Sequence, residues 1–587
     1  MAKWDLSVFY KSLEDWDKDY ERFLSIKDLI KGYNGKLHEE KSFLACLDLS
    51  HEIDEILSRL YVYVSSHADL DLANDTYANK RNSLMVALTE YSSDASFINP
   101  EIIKIGSKTI LGFIKNNPKY ASYEFSYNEL FRLSERILSD KEERIISTFG
   151  RLDNTFKNFY QSLAILDPVN QEVSLSDGTK VVVNHSNYPV LIQNSKTPED
   201  RAAIFSAVYK RYRDNKNSYA NLYEQILTFE YTNARIRGYN SAIEAKLDGE
   251  NIPLKVFTSL IDASYSASPS IRRYIALRKK LLKLDTYHTY DRFLTLTEDK
   301  SKYTYEEGKE IVLKAMKDTN PELYHNVEVA LEDGFVDSEP FDTKRTGAYS
   351  NSIYGFHPLI LLNHDKSLDS IFTIAHEAGH SSHSIFSNEN QSYETANYTI
   401  FVAEIASTFN EHILLDYLLK NSTDKNQKIN LIEKAIDSIM STFFRQTLFA
   451  NYEYEANKII EKNEPFNVST LSAIMIDLYK HYYDIDITKE DGKELVWCYI
   501  PHLYYSPYYV YQYASSFAAS LAIYKNIQKN KDKGYEGLLK MLKAGGSTHS
   551  IDIVKLAGVD LTEKDSYLAV IDRFNYLLDE LEKVVNE

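Results

Sequence analysis

Cysteine is almost missing: Cys46 and Cys498 are the two in 587 residues, and no CxxC pair occurs. That excludes a disulfide framework and a thiolate metal centre. Helix breakers are scarce as well, with 19 Gly and 13 Pro, so the expected fold class is mainly α. Positive charge is in deficit. Lys and Arg number 67 against 85 Asp and Glu, which leaves a formal charge of −18 and argues against a nucleic-acid binder, whose footprint is a basic face. No run approaches the roughly 18 uninterrupted apolar residues of a membrane span, so no membrane partner is expected. The first residues carry Asp5 and no apolar core, unlike a secretory signal, and the expected compartment is cytoplasmic. What is there is ordinary globular material: 44% hydrophobic and 26% charged residues suffice for a large buried core. Tyrosine, at 46, is unusually frequent.

Apolar residues recur at three- and four-residue intervals through segments such as 52–66 and 84–92, which reads as amphipathic helix. The expected organisation is an N-terminal helical domain over 1–115, a helical and hairpin segment over 116–195, and a large domain over 196–587 that carries the chemistry. The hairpin is expected at 172–184, where alternating and β-branched residues flank Asp177-Gly178, a pair suited to a type I′ turn. Pro198 opens a long helix. A second non-helical zone, about 334–363, holds Pro340, Gly347, Gly355 and Pro358. It ends in the apolar run Leu359–Asn363, read as a buried strand.

The sharpest motif is His376-Glu377-Ala378-Gly379-His380. Ile371, Phe372, Ile374 and Ala375 flank it, and Ser367 is a candidate N-cap. Helical spacing puts His376 and His380 one turn apart on one face. Two imidazoles so placed can share a zinc ion, with Glu377 beside them as general base. A buried His-Glu-His needs partners, and a metal supplies them. Catalytic zinc takes a third protein ligand and keeps a fourth position open. Glu404 is the preferred candidate, because it interrupts the apolar helix 400–415 and shares a face with Ser407, Thr408 and Glu411. Glu411 would orient a ligand imidazole through its other ring nitrogen. Glu389 and Glu394 fall in a polar loop, which holds a ligand poorly. His383, three residues beyond His380, is read as a group behind the ligands or in the substrate pocket.

The stretch His-Glu-Ala-Gly-His-Ser-Ser-His, combined with Phe-Val-Ala-Glu-Ile-Ala-Ser-Thr-Phe-Asn-Glu, resembles the thimet-type (M3) metallopeptidases, and most of all their bacterial oligoendopeptidase F branch. The resemblance extends to 344–349 followed by 357–363, to 500–514 and to 544–547, within about 195–570 of the chain. It implies a large helical, clam-like zinc metallopeptidase with a deep substrate channel and a few short strands near the active site. It implies an endopeptidase acting on short oligopeptides. By the same resemblance one zinc ion falls on His376, His380 and Glu404, and the catalytic base on Glu377. The groups that clamp substrate fall on His502, Tyr508 and Tyr511, and Tyr511, with His502 or Tyr508, would donate to the developing oxyanion. Six tyrosines crowd 504–513, and Tyr504 or Tyr505 stand as alternatives to Tyr508. Helical phase groups Tyr504, Tyr508 and Tyr511 apart from Tyr509 and Tyr513.

The strand-like zone 347–363 is expected to pair with an extended peptide by β-augmentation, so that backbone dominates recognition, with Gly347, Ala348 and Tyr349 as substrate-binding residues. Gly347 and Gly355 would allow close backbone approach there. The expected partners are short peptides; the sequence does not bear on oligomeric state. Three rivals remain. A thermolysin-like site needs a shorter gap than the 23 residues between His380 and Glu404. A carboxypeptidase on a related helical scaffold would be stopped by a blocked peptide C-terminus. A non-enzymatic, acidic peptide-binding protein would close its zinc with a fourth protein ligand.

Overall fold

Helices form most of the computed structural model, which describes residues 3–297 and 301–587, without the side chains at 140, 149 and 151–153. The chain divides into two units, each assembled from three stretches of sequence. The first comprises Met1–Glu135, Ser301–Tyr417 and Asn526–Gly558; the second comprises Arg136–Lys300, Leu418–Lys525 and Val559–Glu587. The strands among the described residues are short: β1 (Gln171–Ser174), β2 (Lys180–Val183), β3 (Val336–Asp337), β4 (Tyr349–Asn351) and β5 (Leu359–Leu361). Among the described residues no helix is long and apolar enough to cross a membrane.

In the first unit the helix Glu40–Leu70 packs on its neighbours Leu13–Lys27 and Asp75–Asp94. Their apolar stripes meet in a core that includes Trp16, Phe23, Phe43, Ile53 and Leu60. A three-stranded sheet with the order β3-β5-β4 lies in the same unit, β3 parallel to β5 and β4 antiparallel at the edge. The expected apolar run supplies β5, which is buried at all three positions as a central strand should be. Side chains fasten this sheet. The Trp4 indole N–H donates to the carbonyls of Phe335 and Ile360. Buried Lys344 pairs with Asp337 at 2.5 Å. At β4, the Tyr349 hydroxyl (2.9 Å) and the Arg345 guanidinium (3.0 Å) both donate to Asp69, near the end of helix Glu40–Leu70.

The second unit is organised on the 39-residue helix Pro198–Ile236, capped by the Thr197 hydroxyl with Pro198 in the first turn. The expected hairpin is present, with Gln171 opposite Val183 and Ser174 opposite Lys180. Its turn differs from the expected type. Type I′ requires positive φ at both central residues, whereas Gly178, at +84°, is the turn residue with positive φ. The Gly178 N–H reaches the Leu175 carbonyl at 2.9 Å, as in a type I turn closed by a left-handed glycine. Asp200 accepts from both the N–H and the hydroxyl of Ser176 (2.7 Å each), so a long-range contact shapes the loop. Part of the tyrosine excess is packing: Tyr160, Tyr219, Tyr223, Tyr452 and Tyr504 are buried with their rings in mutual contact.

Candidate metal centre

The helix Leu368–Asn390 starts where the sequence places it, with the Ser367 hydroxyl accepting from the Ser370 N–H at 3.2 Å. Ile371, Ile374, Ala375 and Ala378 anchor one side in the core of the first unit. The helix Ile400–Asn421 meets it at Gly379. A Cβ on Gly379 would stand 2.6 Å from Ser407 Cα and 2.8 Å from the Ala406 carbonyl oxygen. The absent side chain is therefore what allows the two backbones to touch. The intervening loop is tied down by the Ser387 hydroxyl on the Ala396 carbonyl (2.5 Å) and by the Gly546 N–H on the Thr395 carbonyl (2.7 Å).

This contact brings His376, His380 and Glu404 together. Their nearest ligand atoms are 3.1 Å apart (His376 Nε2 to His380 Nε2), 3.5 Å (His376 Nε2 to Glu404 Oε2) and 3.8 Å (His380 Nε2 to Glu404 Oε2). Donors about 2.1 Å from a tetrahedral zinc ion stand about 3.4 Å from one another, so the three separations fit such an ion. Among the described residues no fourth His, Cys, Asp or Glu joins the group. Glu411 accepts from His376 Nδ1 at 2.6 Å. That places the hydrogen on Nδ1 and leaves the Nε2 lone pair facing the other donors. Burial alone would lower the His376 imidazole, but the hydrogen bond and charge of Glu411 outweigh it and push it up to about 9, so a metal ion binding there would displace a proton from Nε2. Burial, joined by the neighbouring His376 and His383, holds His380 down at about 3. The Ser407 hydroxyl donates to Glu404 Oε2 at 3.3 Å, steadying the third donor.

Glu377 lies beside this group and is 6% exposed. One carboxylate interaction is with the backbone N–H of Ser350 on β4, while Oε2 has no hydrogen-bond partner. Burial pushes this carboxyl up to about 7, with His376 opposing the rise and Glu404 adding to it. The Ser350 and Ser381 hydroxyls are 2.8 Å apart, which ties edge strand β4 to the helix bearing Glu377. Neither serine has a motif of its own, and a backbone donor leaves no residue signature, so sequence reading passes over them.

The other candidates are placed as follows. Gly347 has φ +85° with open space where a side chain would be, and its carbonyl accepts from Asn363 Nδ2 at 2.8 Å. Gly355 is likewise a positive-φ position with nothing within 4 Å of a would-be side chain. Ala348 is half-buried, and the Tyr349 hydroxyl is engaged by Asp69. His383 is fully buried, stacks on Tyr398 at 3.7 Å and has no partner at either ring nitrogen. It offers no surface to a substrate. Burial pulls it down to about 3. Glu394 is taken up by the Ser126 hydroxyl at 2.7 Å.

In the second unit, His502 does not pair with Tyr508 or Tyr511. Both of those rings are buried against Phe257. His502 instead lies parallel to Tyr509, with ring centroids 5.9 Å apart, and its Nε2 meets the Tyr513 hydroxyl at 3.4 Å. Burial lowers the His502 imidazole from its ordinary value.

A family profile described as Peptidase family M3 matches residues 191–573, and one described as Oligopeptidase F matches residues 101–167. The chain is 33% identical to Oligopeptidase PepF of Bacillus subtilis over 99% of its own length and 87% of that protein. It is 34% identical to an Oligoendopeptidase F homolog of Borreliella burgdorferi over 99% and 98% of the two chains. Among solved structures, oligoendopeptidase-F from Enterococcus faecium superposes with a TM-score of 0.73 at 26% identity, covering 98% of this chain and 100% of that one.

Proposed function

The chain belongs to peptidase family M3 and is a metallo-endopeptidase, and from that premise we propose that it holds one zinc ion on His376, His380 and Glu404 and hydrolyses internal bonds of short oligopeptides with Glu377 as general base. The observation that carries this reading is the set of three donors, 3.1 to 3.8 Å apart, with a buried carboxylate beside them. Zinc bound there would supply a Lewis acid for the scissile carbonyl and a water of lowered pKa.

The residues of the chain do the rest. Glu377 takes a proton from the attacking water and returns it to the leaving amine, a task suited to a carboxyl raised to about 7. The Ser350 N–H steadies the carboxylate, so that the unpartnered Oε2 receives the proton. Glu411 keeps His376 in the ligating tautomer. Strand β4 is the edge strand of its sheet, and an extended peptide adds to it as a further strand beside the Ser350 N–H that Glu377 engages. The clamping role first given to His502, Tyr508 and Tyr511 suits His502 with Tyr509 and Tyr513 better, because these rings are only half-buried and make contact with one another.

The test pairs a variant with a substrate ladder. Glu377→Gln should retain zinc by metal analysis while peptide hydrolysis falls by about a hundredfold to ten-thousandfold, the range a lost general base typically removes. Wild-type cleavage by that variant would dismiss Glu377 as the base. Mass spectrometry of products from end-blocked peptides should show internal cleavage; activity abolished by a C-terminal block would favour a carboxypeptidase.

A further inference from the structure

In the second unit the segment 506–510 connects the helices His502–Tyr505 and Tyr511–Lys529. Within it Tyr508 has φ +59°. That left-handed conformation disfavours a bulky side chain by on the order of tenfold. Something must hold it. The Tyr508 N–H donates to Glu453 Oε1 at 2.6 Å, and Glu453, on helix Arg445–Glu461, is 1% exposed. The phenol gives no such hold: its hydroxyl is buried without a partner. The segment faces a cleft of about 580 Å³ in the same unit, lined also by Phe229, Lys246 and Glu250. On either side of Tyr508, His502 meets Tyr509 and Tyr513.

A buried carboxyl group is unfavourable unless a hydrogen bond answers its polar atoms. Here its bond goes to the one non-glycine residue of the turn with positive φ. We propose that Glu453 is a positioning residue for peptide binding: it locks Tyr508 in the left-handed conformation and thereby holds Tyr509 and Tyr513 on His502. The proposal rests on the reading that these three rings receive the peptide. Without the lock, Tyr508 relaxes toward an extended conformation, and the competent arrangement becomes a minor population. Substrate must then restore it, which raises the apparent dissociation constant in inverse proportion to that population.

The experiment is a mutant cycle read by steady-state peptide hydrolysis and by amide exchange of residues 505–512. Glu453→Met fills the volume without the acceptor; Glu453→Ala is the second variant should it not fold. Either should raise KM about tenfold with kcat within about twofold, and should speed exchange of the segment. Glu453→Gln keeps an acceptor oxygen and should restore both values to within about threefold. In a Tyr508→Gly background, loss of Glu453 should change KM by less than about twofold, because glycine adopts positive φ unaided. A fall in kcat at constant KM, the mark of a smaller folded fraction, would overturn the proposal. So would a tenfold effect that persists in the glycine background, or unchanged exchange. Faster exchange with constant KM would also overturn it, and His502→Ala then locates the error. If His502→Ala raises KM, only Glu453 was misassigned; if it does not, the rings do not receive the peptide.

Discussion

Replacing Gly379 by alanine adds one carbon at the point where the helices that carry His376, His380 and Glu404 touch. Its nearest neighbours would be Ser407 Cα at 2.6 Å and the Ala406 carbonyl oxygen at 2.8 Å. Both are backbone atoms, so no side chain can rotate away, and the helix Ile400–Asn421 must retreat by about 1 Å to restore van der Waals contact. Overpacking of this kind costs about 1–3 kcal/mol, against a gain of about 1 kcal/mol in helix propensity. The net loss is up to about 2 kcal/mol, or a Tm lower by up to about 4 °C for a unit of this size. The same retreat carries Glu404, three residues before Ser407, away from imidazoles now 3.5 and 3.8 Å distant. Since a shared zinc ion needs about 3.4 Å, its affinity should fall at least tenfold. Gly112 provides the control: a Cβ there has nothing within 4 Å, so Gly112→Ala should stabilise by up to about 1 kcal/mol. Calorimetry together with zinc competition against a graded chelator measures both effects. If Gly379→Ala raises Tm as Gly112→Ala does and keeps zinc affinity within twofold, the close helix contact does not set the ligand geometry.

Three further outcomes are expected. Glu411→Gln keeps an acceptor for His376 Nδ1 but loses the charge 2.6 Å away, so zinc affinity should fall about tenfold; an unchanged chelator titration would remove Glu411 from the site. Chelation should abolish hydrolysis and readdition of zinc restore it, while far-UV circular dichroism stays helical; loss of the helical signal would favour a structural ion. Lys493 is buried between the rings of Tyr209 and Tyr479, and burial, with Arg292 adding and Glu490 opposing, pulls its ammonium down to about 7. The unfolded chain, with a lysine value near 10.4, then binds more protons between pH 7 and that value, so stability from this group rises with pH across the window. Lys493→Met should therefore raise Tm at pH 7, and the gain should shrink toward pH 10; a gain independent of pH would contradict the assignment.

How much of this was legible depends on the distance over which each feature is decided. Helix starts at Ser367 and Pro198 rest on contacts within one turn, and both appear where the sequence places them. The strand 359–361 is legible as an apolar run of strand length. The turn at Gly178 is legible as a turn but not as a type, because Asp200, more than twenty residues later, bonds into the loop. The interleaving of the two units has no local signal. One crossing between them falls at Tyr417 and Leu418, inside the helix Ile400–Asn421, where neither a linker nor a breaker marks the chain.

The same distance rule separates the parts of the candidate site. His376 and His380 are one helical turn apart, and a glutamate interrupting an apolar helix is conspicuous, so spacing alone nominates the three residues that the fold gathers. In the tyrosine-rich segment the grouping by helical phase holds, since Tyr504, Tyr508 and Tyr511 are buried while Tyr509 and Tyr513 are half-buried, but phase does not say which group is the open one. The helix stops at Tyr505 and resumes at Tyr511. Ser506, before Pro507, is forced out of the helical region to φ −148°, ψ 72°, and Tyr508 turns left-handed. The grouping survives these two departures. Tyr508 and Tyr511 turn into the core, and Tyr509 and Tyr513 come to His502. Which group is buried is decided by partners far along the chain, where spacing has no reach: Phe257 packs on both Tyr508 and Tyr511, and Glu453 holds the Tyr508 N–H.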